Sequence, residues 1–300
     1  MKKFDCTLYY DEDLILDLRL NILNKFFDKF IICEAKYTHS GREKKLNFDI
    51  KKFSNFKNKI EYIVQEHEPD NIIYETNNFG KKKEDPINYR INSVRRIAHQ
   101  RNKLLEALDL ADKDDFIFYS DNDEIPNMES FNLLRNKPNI IIFKQKLFYY
   151  KFNLLCDRIF WYGTRAARKK NLINFEWIRQ IKPKKYLFFR ADVYFKKDKY
   201  INIKILDNGG WHFTRIQTPQ EIHKKELDAE HHDEYRAEKK DVARIQDLIS
   251  RRTIDHDHLA DKKESKYGKE FKLKLYEFKN LPEFIKKNKE RYKNYLDYDY

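Results

Sequence analysis

Two rhythms of apolar and polar positions run along this chain. Short, wholly apolar runs read as strands buried on both faces, and longer stretches with apolar residues every three or four positions read as helices. Residues 4–10 give a first strand, and Asp11, Glu12 and Asp13 then open a helix through about Leu23, where acids suit the N-terminal dipole. Leucines and isoleucines point almost all round that helix, so it is expected to be buried. Arg19 sits among them, and a buried arginine needs an anionic partner. Residues 30–33 form a second buried strand ending in Glu34, followed by a polar loop with a turn at Gly41. A helix around 49–55 and a strand at 60–64 complete a βαβαβ beginning.

Residues 66–90 are polar and lysine-rich, with no periodic apolar face. From 92 to 111 the helical signal returns, with Val94, Ile97, Ala98, Leu104, Leu105 and Leu108 on one face. Arg101 projects from the middle of that face, where it must meet an acid or a bound anion. The stretch Asp115-Phe-Ile-Phe-Tyr-Ser-Asp121-Asn-Asp123-Glu124-Ile-Pro126 organises the rest. Four large apolar residues make a buried strand, which breaks into three acids within four positions and a proline that stops it. Asn127 is placed to cap the next helix. Carboxylates at the carboxyl end of a central parallel strand sit where α/β sheets bind ligands, and an Asp-x-Asp there offers oxygens to a hard divalent cation. The plain alternative is an acidic turn that ends a strand. A long strand at 140–149 continues the doubly wound α/β alternation.

Residues 150–206 resist assignment; they carry Trp161, Trp177, many tyrosines and a basic cluster at Arg165, Arg168, Lys169 and Lys170. Gly209 and Gly210, adjacent in a glycine-poor chain, mark a backbone needing unusual dihedrals or close ligand approach, and His212 follows as a ligand or base. After Thr214 charge dominates. The reading places a catalytic domain at 1–215 and a basic extension of two or three helices at 216–300, packed on it. His231-His232 and His256-Asp-His258 read as solvated pairs on charged surface helices.

The 23 Phe and 20 Tyr suffice for a large core, and with only 6 Gly and 7 Pro a turn-rich sandwich or a disordered chain is excluded. The net charge of +13 points to an anionic partner (a nucleotide, a phosphorylated lipid surface or nucleic acid) or to a general lysine bias. Cys6, Cys33 and Cys156 lie in no metal spacing and cannot all pair, so reduced thiols are expected. No apolar run has the length of a signal peptide or membrane span.

In order and spacing, these pieces resemble glycosyltransferase family 17 over about residues 4–215. The carrying residues are Asp11-Glu-Asp-Leu-Ile-Leu-Asp-Leu-Arg19-Leu, Phe30-Ile-Ile-Cys-Glu34 with Thr38-His-Ser-Gly41, Gln100-Arg101-Asn102, Asp115 to Pro126, and Gly209-Gly-Trp-His212-Phe. The family includes the β-1,4-mannosyl-glycoprotein N-acetylglucosaminyltransferase that adds bisecting GlcNAc. The resemblance implies the GT-A-type, Rossmann-like fold: a mostly parallel central sheet flanked by helices. It implies inverting transfer from a UDP-sugar, of GlcNAc or a related hexose, with Mn²⁺ or Mg²⁺ held by Asp121, Asp123 and His212. Donor binding then falls to Glu34, Arg19, Arg101, Asn102, Asp121, Gly209 and Gly210. No motif identifies the general base; Asp123, Glu124, Glu176 and Asp207 are the catalytic candidates.

Animal members carry a membrane anchor and act in the Golgi. With no such segment and no disulfide potential, a cytoplasmic enzyme is expected, acting on a glycan or lipid-linked saccharide. Its basic C-terminal helices are candidates for peripheral contact with an anionic membrane. Nucleic acid is not an expected partner. Two other classes compete: a non-catalytic carbohydrate or nucleotide binder, and a metal-dependent phosphoryl-transfer enzyme, which would draw further acids from distant strands.

Overall fold

The computed structural model describes residues 1–76, 82–84, 88–135, 137–184, 186–187, 189–196, 199, 202–259 and 267–298. It opens as expected: β1 (Lys3–Tyr9), α1 (Asp13–Leu23), β2 (Lys29–Ala35) and β3 (Ile60–Gln65), with both strand pairs parallel. The stretch expected as a helix near 49–55 is a 3₁₀ turn, Ile50–Phe56, capped by the Asp49 side chain. A small hairpin, β4 (Tyr74–Thr76) and β5 (Lys82–Glu84), precedes α2 (Tyr89–Lys103). Then come β6 (Phe116–Ser120), β7 (Glu124–Pro126), α3 (Met128–Asn132) with Asn127 as its cap, and β8 (Ile140–Tyr149).

The part that resisted reading holds a 15-residue strand, β9 (Leu154–Arg168), and the helices α4 (Phe175–Gln180) and α5 (Asp192–Phe195). Next are β10 (Ile203–Leu206) and β11 (Gly210–Thr214). The C-terminal part begins with α6 (Pro219–Asp228), α7 (His232–Ala237) and α8 (Val242–Ser250). It continues with β12 (Thr253–His256), β13 (Tyr267–Lys272), β14 (Lys274–Leu275), α9 (Glu283–Lys287) and α10 (Lys289–Tyr292). The sequence reading expected helices alone here; β12 and β13 instead pair with each other, and β14 adds to β9 of the main sheet.

The main sheet runs β3-β2-β1-β6-β9-β8-β11-β7, with β10 beside β8 and β14 beside β9. It is mostly parallel but mixed, because β9 returns antiparallel between β6 and β8 and β7 pairs antiparallel with β11. Alternation along its strands separates two cores. Phe116 and Phe118 face α1, α9 and Phe131, whereas Ile117 and Tyr119 face Leu104, Leu108 and α4. Such a helix-flanked, curled sheet is Rossmann-like. No helix among the described residues is long and apolar enough to cross a membrane.

One expected face is corrected. Val94 and Leu105 are exposed, and α2 buries Asn92, Ser93, Arg96, Ile97, Gln100 and Arg101 instead. Polar groups succeed there because each meets a partner: the Asn92 amide bonds both the N–H and carbonyl of Ile73, and Gln100 Nε2 donates to the Cys33 carbonyl at 3.1 Å. From Leu104 to Leu110 the helix tightens to 3₁₀, which turns Leu105 off the inward face. The histidine pairs are only partly solvated: the His231 side chain is 40% exposed, but its neighbour is not. His232 is 1% exposed against Tyr89 and Ser93 of α2, and His258 packs on Tyr149 and Trp161. The three cysteines are free and buried.

Asp5 and Arg19 tie the first strand to the first helix with both side chains out of water, at 2.5 and 2.7 Å. Removing one partner of such a pair leaves the other charge buried alone, at a cost of about 3–5 kcal/mol. Arg19→Ala is therefore expected to lower the urea midpoint sharply with little change in m; a midpoint within error of wild type would contradict this reading.

Candidate active site

A cavity of about 350 Å³ opens at the carboxyl ends of β1, β2 and β6. Ligands of α/β sheets bind at this position. Its wall takes Tyr10 and Glu12 after β1, Thr38 and His39 after β2, Arg101 from α2, and His212 from β11. The turn Asp121-Asn122-Asp123 supplies the centre. Lys225, Asp228 and Glu230, from the C-terminal part, close it.

The turn is held from beneath. Arg19 Nη1 donates to the carbonyls of Asp121, Asn122 and Glu124 at 3.4, 3.3 and 2.6 Å. Glu124, fully buried, accepts from Trp161 Nε1 at 2.6 Å, from both Nη atoms of Arg179, and from the Asp121 N–H. Arg179 also donates to Asp121 Oδ2 at 2.6 Å, and Tyr119 donates to Asp121 Oδ1 at 3.0 Å. Burial works to raise the Asp121 pKa, but Arg179 and Arg101 outweigh it, so the carboxylate is held well below its usual range.

Asp123 has a different environment: His212 Nε2 lies 3.3 Å from its Oδ1. Burial opposes charge on both groups, and each favours the charge of the other. The Asp123 pKa is accordingly lowered and that of His212 raised. Lys225 adds a cation, bonded to Glu12 at 2.6 Å and within electrostatic reach of Asp123.

Unmet hydrogen bonds mark what the cavity lacks. Asn122 is 6% exposed, yet among the described residues neither atom of its side-chain amide finds a partner, and His212 Nδ1 is buried without one. Buried polar atoms are normally satisfied, so both are open to ordered water or a polar ligand. Among the described residues no three His, Cys, Asp or Glu side chains converge as a metal-holding group. Asp123 and His212 fit a divalent cation as a two-ligand set, with substrate oxygens and water completing the shell. Asp121 stands beside them, its oxygens accepting from Tyr119 and Arg179, so it would share its carboxylate between those donors and a cation.

The remaining candidates lie elsewhere or act indirectly. Glu34, fully buried, accepts from Lys44, the Asn47 and Phe48 N–H groups and Tyr62, and so fixes the loop that brings Lys44 to the cavity. Asn102 Oδ1 accepts the Glu176 N–H, and Glu176 accepts from Arg101 Nη1 at 2.8 Å. The Asp207 side chain is 83% exposed beside Lys144, away from the cavity wall. A Cβ on Gly209 would stand 2.5 Å from the Lys144 nitrogen, and one on Gly210, at φ +118°, 2.2 Å from the Ile125 carbonyl oxygen. Close strand packing accounts for both glycines. Sequence reasoning missed Arg179, Lys225, Asn122 and Glu230; of these only Asn122 had a signal, its place inside the acidic turn.

The glycosyltransferase family 17 profile matches residues 1–298, and the chain belongs to that family; it is a glycosyltransferase. No curated protein matches it. Among solved structures it is similar to HddC from Yersinia pseudotuberculosis, at 9% identity and a TM-score of 0.35 over 69% of this chain and 90% of that one. It is also similar to the inositol-1-phosphate CTP transferase from T. maritima, at 12% identity and a TM-score of 0.31 over 70% and 86%. These likenesses are too weak to carry an argument.

The raised His212 pKa makes a direct prediction. A folded pKa above the unfolded value of about 6.5 means stability present below that pH and lost as pH rises through the folded value. In metal-free protein, Asp123→Asn is expected to lower the His212 pKa followed by NMR. An unchanged titration would show that Asp123 is not its partner.

Proposed function

We propose that the cavity takes a UDP-sugar and transfers its sugar, GlcNAc or a related hexose, with inversion to a hydroxyl of a glycan or lipid-linked saccharide. One observation carries this reading: the Asp121–Asp123 turn, His212, Arg101 and Lys225 line a single cavity at the carboxyl ends of parallel strands.

The residues divide the work. Asp123 and His212 would hold a divalent cation, Mn²⁺ or Mg²⁺, whose chemistry is to offset the charge of a diphosphate as it leaves. Arg101 and Lys225 add fixed positive charge, and fixed charge needs no reorganisation as the bond breaks. Arg179 is bound to Asp121 and Glu124, so it shapes the turn. The Asn122 amide supplies a donor and an acceptor for sugar or ribose hydroxyls. Tyr10 and His39 frame the end of the cavity next to β1 and β2, and an aromatic ring there suits a base or sugar face.

A thermal-shift panel of nucleotides and nucleotide-sugars, with and without Mn²⁺, tests the reading. A ligand at a hundred times its Kd adds about 2.7 kcal/mol to stability, a shift of a few degrees. Wild type is expected to respond to UDP or a UDP-sugar with Mn²⁺, and Asp123→Ala to lose the metal-dependent part. No response to any nucleotide would defeat the reading.

A further inference from the structure

Inverting transfer needs a group to take the proton of the attacking hydroxyl, and that group must face the cavity with a lone pair to spare. Five carboxylates line the cavity: Glu12, Asp121, Asp123, Asp228 and Glu230. Four are committed. Glu12 is bonded to Lys225, and Asp121 to Arg179 and Tyr119. Asp123 is paired with His212. Asp228 is gripped by Tyr10 and Arg42.

Glu230 differs. Among the described residues it accepts no hydrogen bond, and its one ion-pair partner, His231, stands 4.0 Å away. Its side chain is 36% exposed, open to an incoming acceptor while still on the cavity wall. The backbone around it is nonetheless fixed. On one side the Asp228 carbonyl accepts the Ser40 N–H at 3.2 Å, and the Asp228 carboxylate is held as above. On the other side the His232 N–H bonds the Ala229 carbonyl at 3.2 Å, and Arg90 bonds His231 and Asp233. A free carboxylate on a pinned segment is placed for proton transfer, since positioning is achieved without using up its lone pairs.

We propose that Glu230 is the general base of the transfer. This rests on the donor reading above. The acceptor oxygen forms its bond to the anomeric carbon as the bond from that carbon to the diphosphate oxygen breaks. The electron pair leaves on the diphosphate, and the hydroxyl proton passes to the Glu230 carboxylate. Glu124, Glu176 and Asp207 are each less suited: the first is fully buried and bonded, the second holds Arg101, and the third lies off the cavity.

The test uses the full chain with Mn²⁺ and UDP-GlcNAc, UDP-glucose and UDP-galactose, with water as the acceptor and UDP release as the readout. Glu230→Gln is expected to lower kcat by about 10²–10⁴-fold, the usual worth of a general base, with KM and the UDP thermal shift unchanged. Glu230→Asp should recover part of the rate. Azide has no proton to remove, so adding it should restore turnover in Glu230→Gln as glycosyl azide, which loss of a merely structural residue would not allow. Glu230→Gln within threefold of wild type overturns the proposal. So does a variant that loses the UDP shift along with activity, because Glu230 would then be binding donor. Wild type that neither binds nor cleaves these nucleotide-sugars overturns the donor reading beneath it.

Discussion

Arg19 is the residue on which the site depends. Its guanidinium lies wholly inside the protein and divides its donors between two tasks: Nε and Nη2 bind Asp5 of β1, while Nη1 reaches the carbonyls of the acidic turn. Three acids in four residues repel one another and would keep an isolated turn open. A cation beneath their backbone, itself neutralised by Asp5, fixes the turn without consuming the carboxylates that face the cavity. Because Asp5 and the turn lie on neighbouring parallel strands, β1 and β6, the same arginine sets their relative height. Its planar fork of donors makes both tasks possible at once, which a lysine could not match.

Charge balance then separates the two aspartates of the motif. Asp121 is neutralised by Arg179 and faces Arg101 at 3.8 Å, so it ties two arginines to the turn. Asp123 is paired with an imidazole, a partner that can give up its proton and become a ligand instead, with Lys225 further off. A cation arriving at this pair would displace a proton rather than a permanent charge. At Asp121 the neighbouring charges are arginines, which keep their protons.

The fold was legible wherever apolar runs were long and unmixed. β1, β2, β6 and β8 were read from buried runs, and α1 from leucines on all its faces; Arg19 and Arg101 were seen to need partners because charge inside an apolar face is costly. β9 was not legible: charged residues interrupt its 15 positions, since part of the strand is exposed and it turns between two neighbours. The α2 face was misread because hydrophobic period assumes an apolar core, whereas this helix packs on backbone that wants hydrogen bonds. Within the site, Asp121, Asp123, His212 and Arg101 came from local pattern. Arg179 could not, since its meaning comes from Asp121 and Glu124, more than fifty residues away in the chain.

The C-terminal part illustrates the same limit in a form that bears on function. Read alone, it is a charged segment with no motif, and a boundary at 215 looks natural. In three dimensions Lys225, Asp228 and Glu230 complete the cavity wall, and Asp228 locks that wall to Tyr10 and Arg42 of the N-terminal half. The cavity therefore has no finished shape until the chain has folded as far as α6 and the residues that follow it. Residues near β6 form the cavity's acidic centre; Lys225, Asp228 and Glu230 form the wall across from it. Sequence change in the C-terminal part thus has a route to reshaping the cavity while the acidic turn, under Arg19, stays as it is.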